Sequence, residues 1–585
     1  MLLGVSDGYS VSEEISASDL STEECLEFLI RQEREHPNHI KVAFAFNYDV
    51  NMIVKDVDDE SLQRLLDGEW VEHGRYRIKW LTSKWFEIRY RGTYTIIYDM
   101  FSFFGCSFLT ACKQYLGDDT DLAQVTDGKG KRAVFEWEEL DSLILPYMRI
   151  ELVLMAKLAN RLRELLSGIG LDLKSWHGPG AIASELLKVN KVKAHRPDVE
   201  PAEIRLAAQY AYAGGRFESY KTGLYEGNVY QYDIRSAYPY ALTQCPALTD
   251  EYRIDDNPAQ GTPVPVFSLN KVRYYDTDMV RTGLNPFALR TDSGAIFFPN
   301  FVETWVWGVE YNAALKWRSQ YIELVSTMHF HDDGTRPFEF IGDLYSQRAQ
   351  WKREKNPAQL AAKLGMNSVY GKLAQRVGWD EDTNSAPNWH QLRWAGYLTA
   401  TCRAMVFDAM AQAPGRIISV ETDGIFSEVP LDLDVGPNLG QWDDRTESGN
   451  DHYDAIMYVQ SGVYFTLEGD NWSTGKTRGF SSNKTHARLA LSAVPTLESL
   501  VTEQNRFHGL RGNIGTENWR TWQKHPHIVS WGGNGKRFHP KACQVCKDGG
   551  TWHCTHFSLP NQVVSAPHPL PWLGEDWTPE KDIAL

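Results

Sequence analysis

The spacing of hydrophobic and polar positions divides the first third of the chain into predicted strands and one long helix. Residues 41–54 (KVAFAFNYDVNMIV) form a strand-like apolar run that leads into a turn. Residues 84–110 are rich in Tyr, Phe, Ile and Thr and favour strands, with a hairpin around residues 91–94 (RGTY). From Leu143 to Leu166 apolar residues recur at helical spacing, and Gly168 follows as a stop signal. These elements predict an α/β domain.

The rest of the chain continues with strands and helices. Strand and turn signals alternate over 205–245, and residues 335–372 predict two helices that are broken by an Asn-Pro pair. Another helix is predicted over 390–412, followed by an apolar strand (RIISV). Beyond about residue 480 the composition becomes rich in Trp, His and Gly. The pattern therefore predicts a second α/β (α+β) region and a loose C-terminal part.

Length and composition limit the class of protein. A chain of 585 residues is too long for one compact core, and its formal net charge of -16 argues against a small basic DNA-coating protein. An enzyme with a local basic groove stays compatible with that charge. Eight cysteines do not make a disulfide scaffold, and we find neither a secretory signal nor a segment long and apolar enough for a membrane span. We therefore expect a monomeric, cytoplasmic protein that does not contact membranes.

The first segment that suggests chemistry surrounds Asp233. Residues 229–234 are strand-like and Pro239 soon opens a helix, so Asp233 is expected at the end of a strand, where it can project into a cleft. Tyr238 would form a flat wall against a sugar ring. The alternative is an ordinary strand and turn with an Asp cap.

The second segment is a helix with polar residues in register. Lys363, Asn367 and Tyr370 are spaced i, i+4 and i+7, which places them on one face, and Arg348 and Lys352 lie on the basic helix before it. A cation, an amide and an aromatic ring on one face suit a triphosphate, a base pair and a sugar. A solvated amphipathic helix is the alternative.

The third segment places two acids at a tight turn between apolar strands. Glu421 and Asp423 lie between residues 417–420 and 425–426, and two-residue spacing predicts that they share a face. A hairpin turn with Asp-Gly is the alternative for this segment alone. Together, two acid-bearing strands and a cationic helix provide what nucleotidyl transfer needs, namely ligands for two Mg²⁺ or Mn²⁺ ions and neutralisation of a triphosphate.

These segments resemble motifs A, B and C of the family B DNA polymerases, in the correct order and with wording closest to the protein-primed branch. Motif A there reads D-x-x-S-x-Y-P, motif B reads K-x-x-x-N-S-x-Y-G, and motif C reads D-T-D. The matching residues are Asp233, Ser236, Tyr238 and Pro239, then Lys363, Asn367, Ser368, Tyr370 and Gly371, then Glu421, Thr422 and Asp423.

The resemblance implies a right-hand polymerase preceded by a ribonuclease H-like exonuclease domain. It implies Asp233 and Asp423 as metal ligands, with Glu421 as a further catalytic acid. The expected division is an incomplete exonuclease-like domain over 1–170, a linker over 171–200, palm over 201–335 and 373–480, fingers over 336–372, and a thumb with a C-terminal tail over 481–585.

Further residues resemble the elements that contact DNA in this family. Tyr212, Gly214 and Gly215 match the Y-x-G-G element that touches template, and Tyr464 matches the Tyr of the K-x-Y element at the primer terminus. Lys476 is the candidate to replace the missing Lys of that element. The implied partners are primer–template DNA, deoxynucleoside triphosphates and a terminal or priming protein.

Two departures from the family pattern limit what is carried over. Glu421 replaces the first Asp of motif C and lengthens that side chain by a methylene, which affects metal affinity and rate. The segment between motifs B and C is also short, so processivity and protein priming are not carried over. A primer-independent, primase-like polymerase, a catalytically inert nucleic-acid-binding homologue and a pure 3′→5′ nuclease are therefore the competing interpretations.

The N-terminal region retains part of an exonuclease signature. Asn47 and Asp49 resemble the second exonuclease motif, and Tyr147 with Glu151 resembles the third, with Glu in place of Asp. The D-x-E strand expected upstream is missing from residues 1–46, either because the chain starts after it or because the domain is a degenerate scaffold. We expect weak or absent 3′→5′ exonuclease activity.

The C-terminal tail contains a short Cys and His cluster. Cys543, Cys546, Cys554 and His556 have spacing compatible with tetrahedral Zn²⁺. His553 is a fifth candidate, and the loop is short, so free thiols are the favoured alternative.

Overall fold

The computed structural model describes two compact units that alternate along the chain. The residues described are 2–16, 19–117, 122, 125, 144–193, 200–276, 284–290, 296–299, 301–375, 386–446, 448–473 and 475–477, with three short strands at 506–508, 523–525 and 568–569. Unit 1 comprises Met1–Lys191, Leu344–Val369 and Phe507–Lys524, and unit 2 comprises Val192–Asp343, Tyr370–Arg506 and His525–Leu585.

Unit 1 contains a hairpin, a five-stranded sheet and helices packed around it. The strands are β1 (Leu2–Ser6), β2 (Val11–Ile15), β3 (Lys41–Ala43), β4 (Val71–His73), β5 (Tyr76–Leu81), β6 (Trp85–Tyr90) and β7 (Thr93–Asp99). β1 pairs with β2, and the sheet order is β3-β7-β6-β5-β4, with β3 parallel to β7 and the remaining pairs antiparallel. The helices are α1 (Thr22–Glu35), α2 (Asn47–Ile53), α3 (Asp59–Leu66), α4 (Phe101–Phe104), α5 (Phe108–Leu116), α6 (Leu145–Gly168) and α7 (Pro179–Val189).

The predicted hairpin around residues 91–94 is confirmed. Arg91 and Gly92 connect β6 to β7, and both have positive φ, the conformation that two-residue hairpin loops favour. Beyond the hairpin, the strand prediction up to residue 110 is wrong, because β7 ends at Asp99 and α4 follows. The Asp99 carboxylate accepts the backbone N–H of Phe101 at 3.0 Å, which turns the chain out of the sheet.

The strand predicted over 41–54 is also shorter than expected. Only β3 is extended, and α2 occupies most of the remainder. Asp99 accepts the backbone N–H groups of Ala45 at 2.9 Å and Phe46 at 3.0 Å, and Ala45 has φ +56°. This tertiary contact from β7 ends the strand, and a local hydrophobic pattern does not reveal it.

The described part of unit 2 contains two large sheets, a two-stranded sheet and the helices that pack with them. Its strands are β8 (Arg216–Ser219), β9 (Lys221–Ile234), β10 (Tyr252–Asp255), β11 (Ser268–Tyr275), β12 (Leu289–Arg290), β13 (Ile296–Phe297), β14 (Phe301–Trp307), β15 (Ile322–Phe330), β16 (Ile417–Thr422), β17 (Gly424–Ser427), β18 (Trp442–Asp443), β19 (Tyr453–Gln460), β20 (Val463–Glu468), β21 (Asn471–Trp472) and β22 (Lys476–Thr477). The larger sheet has the order β21-β20-β19-β9-β17-β16-β8, to which β18, β22 and a short strand at His568–Pro569 add further pairs. The smaller has the order β10-β15-β11-β14, and β12 pairs with β13 separately. Short strands β23 (Arg506–His508), β24 (Gln523–His525) and β25 (His568–Pro569) follow.

The remaining helices follow the predicted pattern in part. They are α8 (Ala202–Ala211), α9 (Ala237–Gln244), α10 (Gly308–Arg318), α11 (Phe340–Arg353), α12 (Ala358–Leu373) and α13 (Leu392–Met410), with a 3₁₀ turn at Ser319–Tyr321. Helix α8 extends into the segment 205–245, which was predicted as strands and turns, because Ile204, Ala207, Ala208 and Ala211 are buried at helical spacing. Helix α10 was not predicted. The two helices predicted over 335–372 and the helix predicted over 390–412 are confirmed. No helix in the described part of the chain has the length and hydrophobicity to cross a bilayer.

The core of unit 2 surrounds α13, which is buried along nearly its whole length. A Cβ added to Gly396 would lie 2.7 Å from Trp307 Nε1, so the close contact of α13 with β14 requires glycine. Two arginines of α13 are buried and paired: Arg393 with Glu200, and Arg403 with Glu310. These pairs keep buried charges compensated while α13 supports the large sheet.

Almost all of the region predicted as thumb and tail, residues 481–585, lies outside the described residues. The proposed zinc ligands Cys543, Cys546, Cys554 and His556 lie there too.

Candidate functional site

Strand pairing brings the two principal acids together. Asp233, next to the last residue of β9, lies directly opposite Gly424, the first residue of β17. Asp423 occupies the turn between β16 and β17, and its carbonyl accepts the backbone N–H of Ile234 at 2.9 Å. The two carboxylates, distant in sequence, are therefore held side by side, one on β9 and one in the turn that leads into the neighbouring strand β17.

These acids lie in a cleft of about 460 Å³. Its lining residues are Phe217, Gln231, Asp233, Glu421, Thr422, Asp423, Gly424, Ile425, Phe426, Gly462, Tyr464 and Lys476. Asp233 is open to the cleft on one side, but protein atoms surround it elsewhere, and this desolvation with the charge of Asp423 raises its pKa to about 7. Burial likewise raises the pKa of Asp423.

The two carboxylates fit a divalent cation. Each is destabilised in its charged form by desolvation, and the negative charge of Asp423 further disfavours that of Asp233. A bound cation would compensate both effects, and carboxylate oxygens are the ligands that Mg²⁺ prefers. Among the residues that the structure describes, no group of three or more Asp, Glu, His or Cys side chains is arranged to hold a metal. Two protein carboxylates with water and substrate oxygens are therefore the donor set that the geometry offers.

Lys476 reaches the same cleft from a separate strand. It lies opposite Tyr464 in the pairing of β22 with β20, and its Nζ is 5.8 Å from the centre of the Tyr464 ring. Its positive charge acts to lower the pKa of both Asp233 and Asp423, opposing the effect of burial. The structure thus places a cation beside the Tyr of the K-x-Y-like element, although the two residues are not adjacent in sequence.

Glu421 points to a different set of partners. Its Oε1 accepts the Tyr458 hydroxyl at 2.7 Å and the backbone N–H of Gly462 at 2.7 Å. Thr422, with φ +67°, breaks the two-residue alternation expected between Glu421 and Asp423. These contacts favour a role for Glu421 in positioning the β19–β20 turn rather than in binding a metal.

Three tyrosines and a glycine form a cluster beside the acids. The ring centres of Tyr238 and Tyr370 are 4.7 Å apart, and the Tyr370 hydroxyl is 3.2 Å from that of Tyr212. Burial raises the pKa of Tyr238 and of Tyr370, so both stay protonated. A Cβ on Gly215 would lie 2.6 Å from Thr422 Cγ2 and 3.1 Å from the Tyr238 hydroxyl. Gly215 therefore packs directly against the acid-bearing turn.

Helix α13 anchors the loop between α8 and β8, which contains Tyr212 to Gly215. The sequence did not predict this role of α13. Arg403 Nη1 donates to the carbonyls of Ala213 at 2.6 Å and Gly214 at 2.8 Å, and the Thr399 hydroxyl also donates to Ala213 at 2.6 Å. An isolated Arg inside an otherwise apolar helical segment was the available signal.

Asp443 was missed as well: β18 places it opposite Asp233, and it forms an ion pair with Arg235 at 2.9 Å.

The polar residues of motif B share the solvent-facing side of α12. Lys363 and Asn367 are exposed and Tyr370 is half-buried, whereas the helix positions between them are mostly buried. Gly365, on the opposite side, packs against α7, since a Cβ there would lie 2.7 Å from Leu186. On α11, Arg348 is partly buried and Lys352 is exposed.

The exonuclease-like residues occupy two helices of unit 1. Asn47, at the start of α2, exchanges hydrogen bonds of 2.7 Å with the side chain and backbone of Ser83 in the β5–β6 turn. Asp49 lies two residues further along α2, and Tyr147 and Glu151 lie about one turn apart on α6. Asn47 is thus engaged in holding a turn.

Residues 138–385 match the family described as DNA polymerase type B, organellar and viral. A DNA polymerase of Acidianus bottle-shaped virus is 26% identical over 393 residues, 60% of this chain and 56% of that protein. A primer-independent DNA polymerase of Escherichia coli is 27% identical over 246 residues, 38% of this chain and 28% of that protein. The chain thus spans little more than half of the first relative and just over a quarter of the second.

Solved structures show the same relationship in fold. Phi29 DNA polymerase aligns with a TM-score of 0.60 at 15% identity, over 89% of this chain and 94% of that one. The same polymerase complexed with primer–template DNA aligns with a TM-score of 0.58 over the same shares. In part of its sequence and in its fold, the chain is similar to the family B DNA polymerases. The resemblance and the fold class predicted from the motifs are confirmed.

The family match includes Asp233, Tyr238 and the Lys363–Tyr370 stripe, but it ends before Glu421 and Asp423. The pairing of β9 with β17 is therefore an independent reason to place Asp423 in the same site as Asp233.

Proposed function

We propose that this chain is a DNA-dependent DNA polymerase that adds deoxynucleotides to a primer 3′-OH. The observation that carries the proposal is the placement of Asp233, on β9, and Asp423, in the turn just before the paired strand β17, in one cleft. Two Mg²⁺ or Mn²⁺ ions held there would activate the 3′-OH and stabilise the leaving pyrophosphate.

The side chains around the acids divide the remaining work. Lys476 is the cation beside the acids, and it neutralises the phosphates of the primer terminus. The ring of Tyr464, next to Lys476, supports the primer terminus. Glu421 keeps the β19–β20 turn in place through its bonds to Tyr458 and Gly462. The primer end is thereby fixed relative to the carboxylates.

We assign nucleotide binding to motifs A and B. Lys363 neutralises the triphosphate, with Arg348 and Lys352 as further cations, and Asn367 and Tyr370 flank the nascent base pair. Tyr238 excludes a ribose 2′-OH, because its ring is held against Tyr370 and has little room to move. Tyr212, Gly214 and Gly215 contact the template strand, with their loop held by Arg403 and Thr399.

A primer-independent start is the second candidate function. The Escherichia coli relative bears that activity in its name, and the phi29 structure carries bound primer–template DNA. Incorporation on unprimed single-stranded templates, measured beside incorporation on primed ones, distinguishes the two modes. A priming or terminal protein is the third mode, and adding no protein partner in this assay keeps it separate.

We propose that the N-terminal domain has weak or no 3′→5′ exonuclease activity. The proposal rests on the engagement of Asn47 with Ser83 and on Glu151, which stands where the third exonuclease motif has Asp. End-labelled single strands incubated with Mg²⁺ or Mn²⁺ test it. Efficient trimming that disappears in Asp49→Ala would overturn it.

Primer extension on a defined template tests the polymerase activity. We expect incorporation by the wild-type chain and a loss of at least about a hundredfold in Asp233→Ala and in Asp423→Ala, because either change removes a ligand of the ions that carry the chemistry. Asp470→Ala, at an exposed turn after β20, is the matched control and should retain full activity. Full activity in Asp233→Ala or Asp423→Ala would contradict the proposal.

A further inference from the structure

One face of the sheet in unit 1 carries cations and aromatic rings. Residues such as Ile78 point into the core, but the strand register aligns Glu72, Arg77, Arg89 and Tyr94 side by side across β4, β5, β6 and β7. Directly paired residues of antiparallel strands project from the same face. This face therefore presents two arginines and a tyrosine in one row.

Aromatic rings hold several of these cations in place. The ring of Trp70 lies 4.3 Å from the guanidinium carbon of Arg89, 4.9 Å from that of Arg77 and 5.7 Å from the ammonium of Lys79. A guanidinium stacked on a ring keeps its N–H edge available for an anion. Arg77 and Arg89 are both exposed. The cations are thus ordered without being buried.

Beside this row the sheet edge forms a hollow of about 590 Å³. Arg75, Arg77, Arg89 and Arg91 contribute to its wall, and Glu72 is the carboxylate residue of that wall. Arg75 is paired with Glu27, and Arg89 with Glu87, whereas within the described part of the chain Arg77 and Arg91 form no ion pair. The hollow therefore retains positive charge on a protein whose formal net charge is -16.

We propose that this surface, the arginine–tyrosine face (Arg75, Arg77, Arg89, Arg91 and Tyr94), binds single-stranded nucleic acid. The arginines would take phosphates, and the Tyr94 ring, 61% exposed, would stack on an unpaired base. Charge alone would also suit an acidic protein segment. The exposed ring in the same row as the cations favours a strand with both phosphates and free base faces.

The face is separate from the exonuclease-like residues. It lies at the β4–β5 and β6–β7 turns, whereas Ser83, the partner of Asn47, lies in the β5–β6 turn at the other end of the same strands. The proposal therefore depends neither on nuclease activity nor on the proposed polymerase activity.

Fluorescence anisotropy of labelled (dT)₁₂ and (rU)₁₂ with the full-length chain tests the proposal. Saturating unlabelled primer–template DNA is present to occupy other sites. The test variant combines Arg77→Thr, which keeps a strand-favouring residue, with Arg91→Asn, which tolerates φ +44°. The control variant combines Lys113→Gln with Arg163→Gln, which removes two exposed charges of unit 1 elsewhere.

Losing two phosphate contacts should make the negative slope of log affinity against log salt shallower by about 1.4, at roughly 0.7 per contact on single strands. The control variant should keep the wild-type slope. Tyr94→Thr should weaken binding about fivefold or more, the lower end of base-stacking strength, while Tyr94→Phe should bind as the wild type does. A reduction with either oligonucleotide supports the proposal.

Wild-type affinity and slope in both the double variant and Tyr94→Thr would overturn the proposal. The same conclusion follows if these changes weaken only the binding of a poly-glutamate peptide. Thermal melting confirms that the variants are folded, and because Tyr94→Thr and the arginine pair are separate, failure of one to fold leaves the other decisive. Extension of a primed template, expected to be unchanged in these variants, reports on the polymerase proposal independently.

Discussion

Glu421 stands where the motif of this polymerase family has Asp, and its longer side chain reaches two donors across the cleft. Shortening it in Glu421→Asp should release the Tyr458 hydroxyl and the Gly462 N–H, at a cost of about 1–3 kcal/mol for buried donors without partners. Chemical denaturation measures that loss, and primer extension should show a larger rise in KM for primer than fall in kcat.

Glu421→Gln provides the matched comparison, because an amide oxygen accepts the same two hydrogen bonds without a charge. We expect it to retain stability and most of the activity. If Glu421→Gln were as inactive as Asp423→Ala, Glu421 would be a catalytic acid rather than a positioning residue.

Gly215 is the residue at which an added methyl group should matter most. In Gly215→Ala the new Cβ would lie 2.6 Å from Thr422 Cγ2. Either the loop that contains Gly215 or the turn that contains Thr422 and Asp423 must therefore move. Overpacking of this kind costs about 1–3 kcal/mol, and primer extension should fall by about tenfold or more. Gly342→Ala on α11 is the control: nothing lies within 4 Å of its Cβ, and a helical Gly→Ala change should stabilise slightly. Equal activity of the two variants would contradict this account.

Tyr238 tests the assignment of sugar selection. Its ring is fixed against Tyr370, so Tyr238→Ala should open space beside the incoming sugar and increase ribonucleotide incorporation about tenfold or more relative to deoxyribonucleotides. Tyr238→Phe keeps the ring and should keep the selection. Single-nucleotide incorporation with matched rNTP and dNTP pairs measures the ratio, and an unchanged ratio in Tyr238→Ala would refute the assignment.

Among the elements, α13 links the core of unit 2 to the site. Arg403→Met should leave Glu310 buried and unpaired and remove the donor to Ala213 and Gly214, destabilising unit 2 by about 3–5 kcal/mol. Adding Glu310→Gln should recover part of the stability, because the unpaired charge is gone, but not template binding, because the Gly214 carbonyl still lacks the donor that Arg403 supplied. Thermal melting and primer–template affinity separate these effects, and full recovery of affinity in the double variant would disprove the anchoring role.

The sequence was sufficient for those elements whose signals are local. Pro239 after a strand-like run, the Asn-Pro break between α11 and α12, and the Arg91-Gly92 hairpin each have a local stereochemical cause, and the structure agrees with all three. The segment after β3 was predicted wrongly because Asp99, from a different strand, captures the N–H groups of Ala45 and Phe46. Long-range contacts of this kind leave no mark on a local pattern.

In the candidate site, too, residues with a local signal could be predicted from the sequence, and residues placed by long-range contacts could not. Asp233 and Asp423 could be identified because each stands at the junction of a strand and a turn. Lys476 and Asp443 depend on pairing between strands far apart in sequence, so spacing alone does not assign them to the cleft. The actual partners of Glu421 depend on the positive φ of Thr422, which overrides the two-residue alternation of a strand.

In the whole molecule, the candidate polymerase site and the proposed nucleic-acid-binding face lie in different compact units. Unit 2 contains both acids, the tyrosine cluster and Lys476, and unit 1 contains the exonuclease-like residues and the arginine–tyrosine face. The proposed polymerase activity depends on the larger sheet of unit 2, because β9 and β17 must stay paired for the carboxylates of Asp233 and Asp423 to reach one metal centre.

The most direct test of that claim is to count bound Mn²⁺ ions by electron paramagnetic resonance in the presence of primer–template DNA and a non-hydrolysable nucleotide. The account predicts two tightly bound ions per wild-type chain, and loss of at least one of them in Asp233→Asn and in Asp423→Asn, with Asp470→Asn binding as the wild type does. Two ions bound with wild-type affinity in either cleft variant would contradict it.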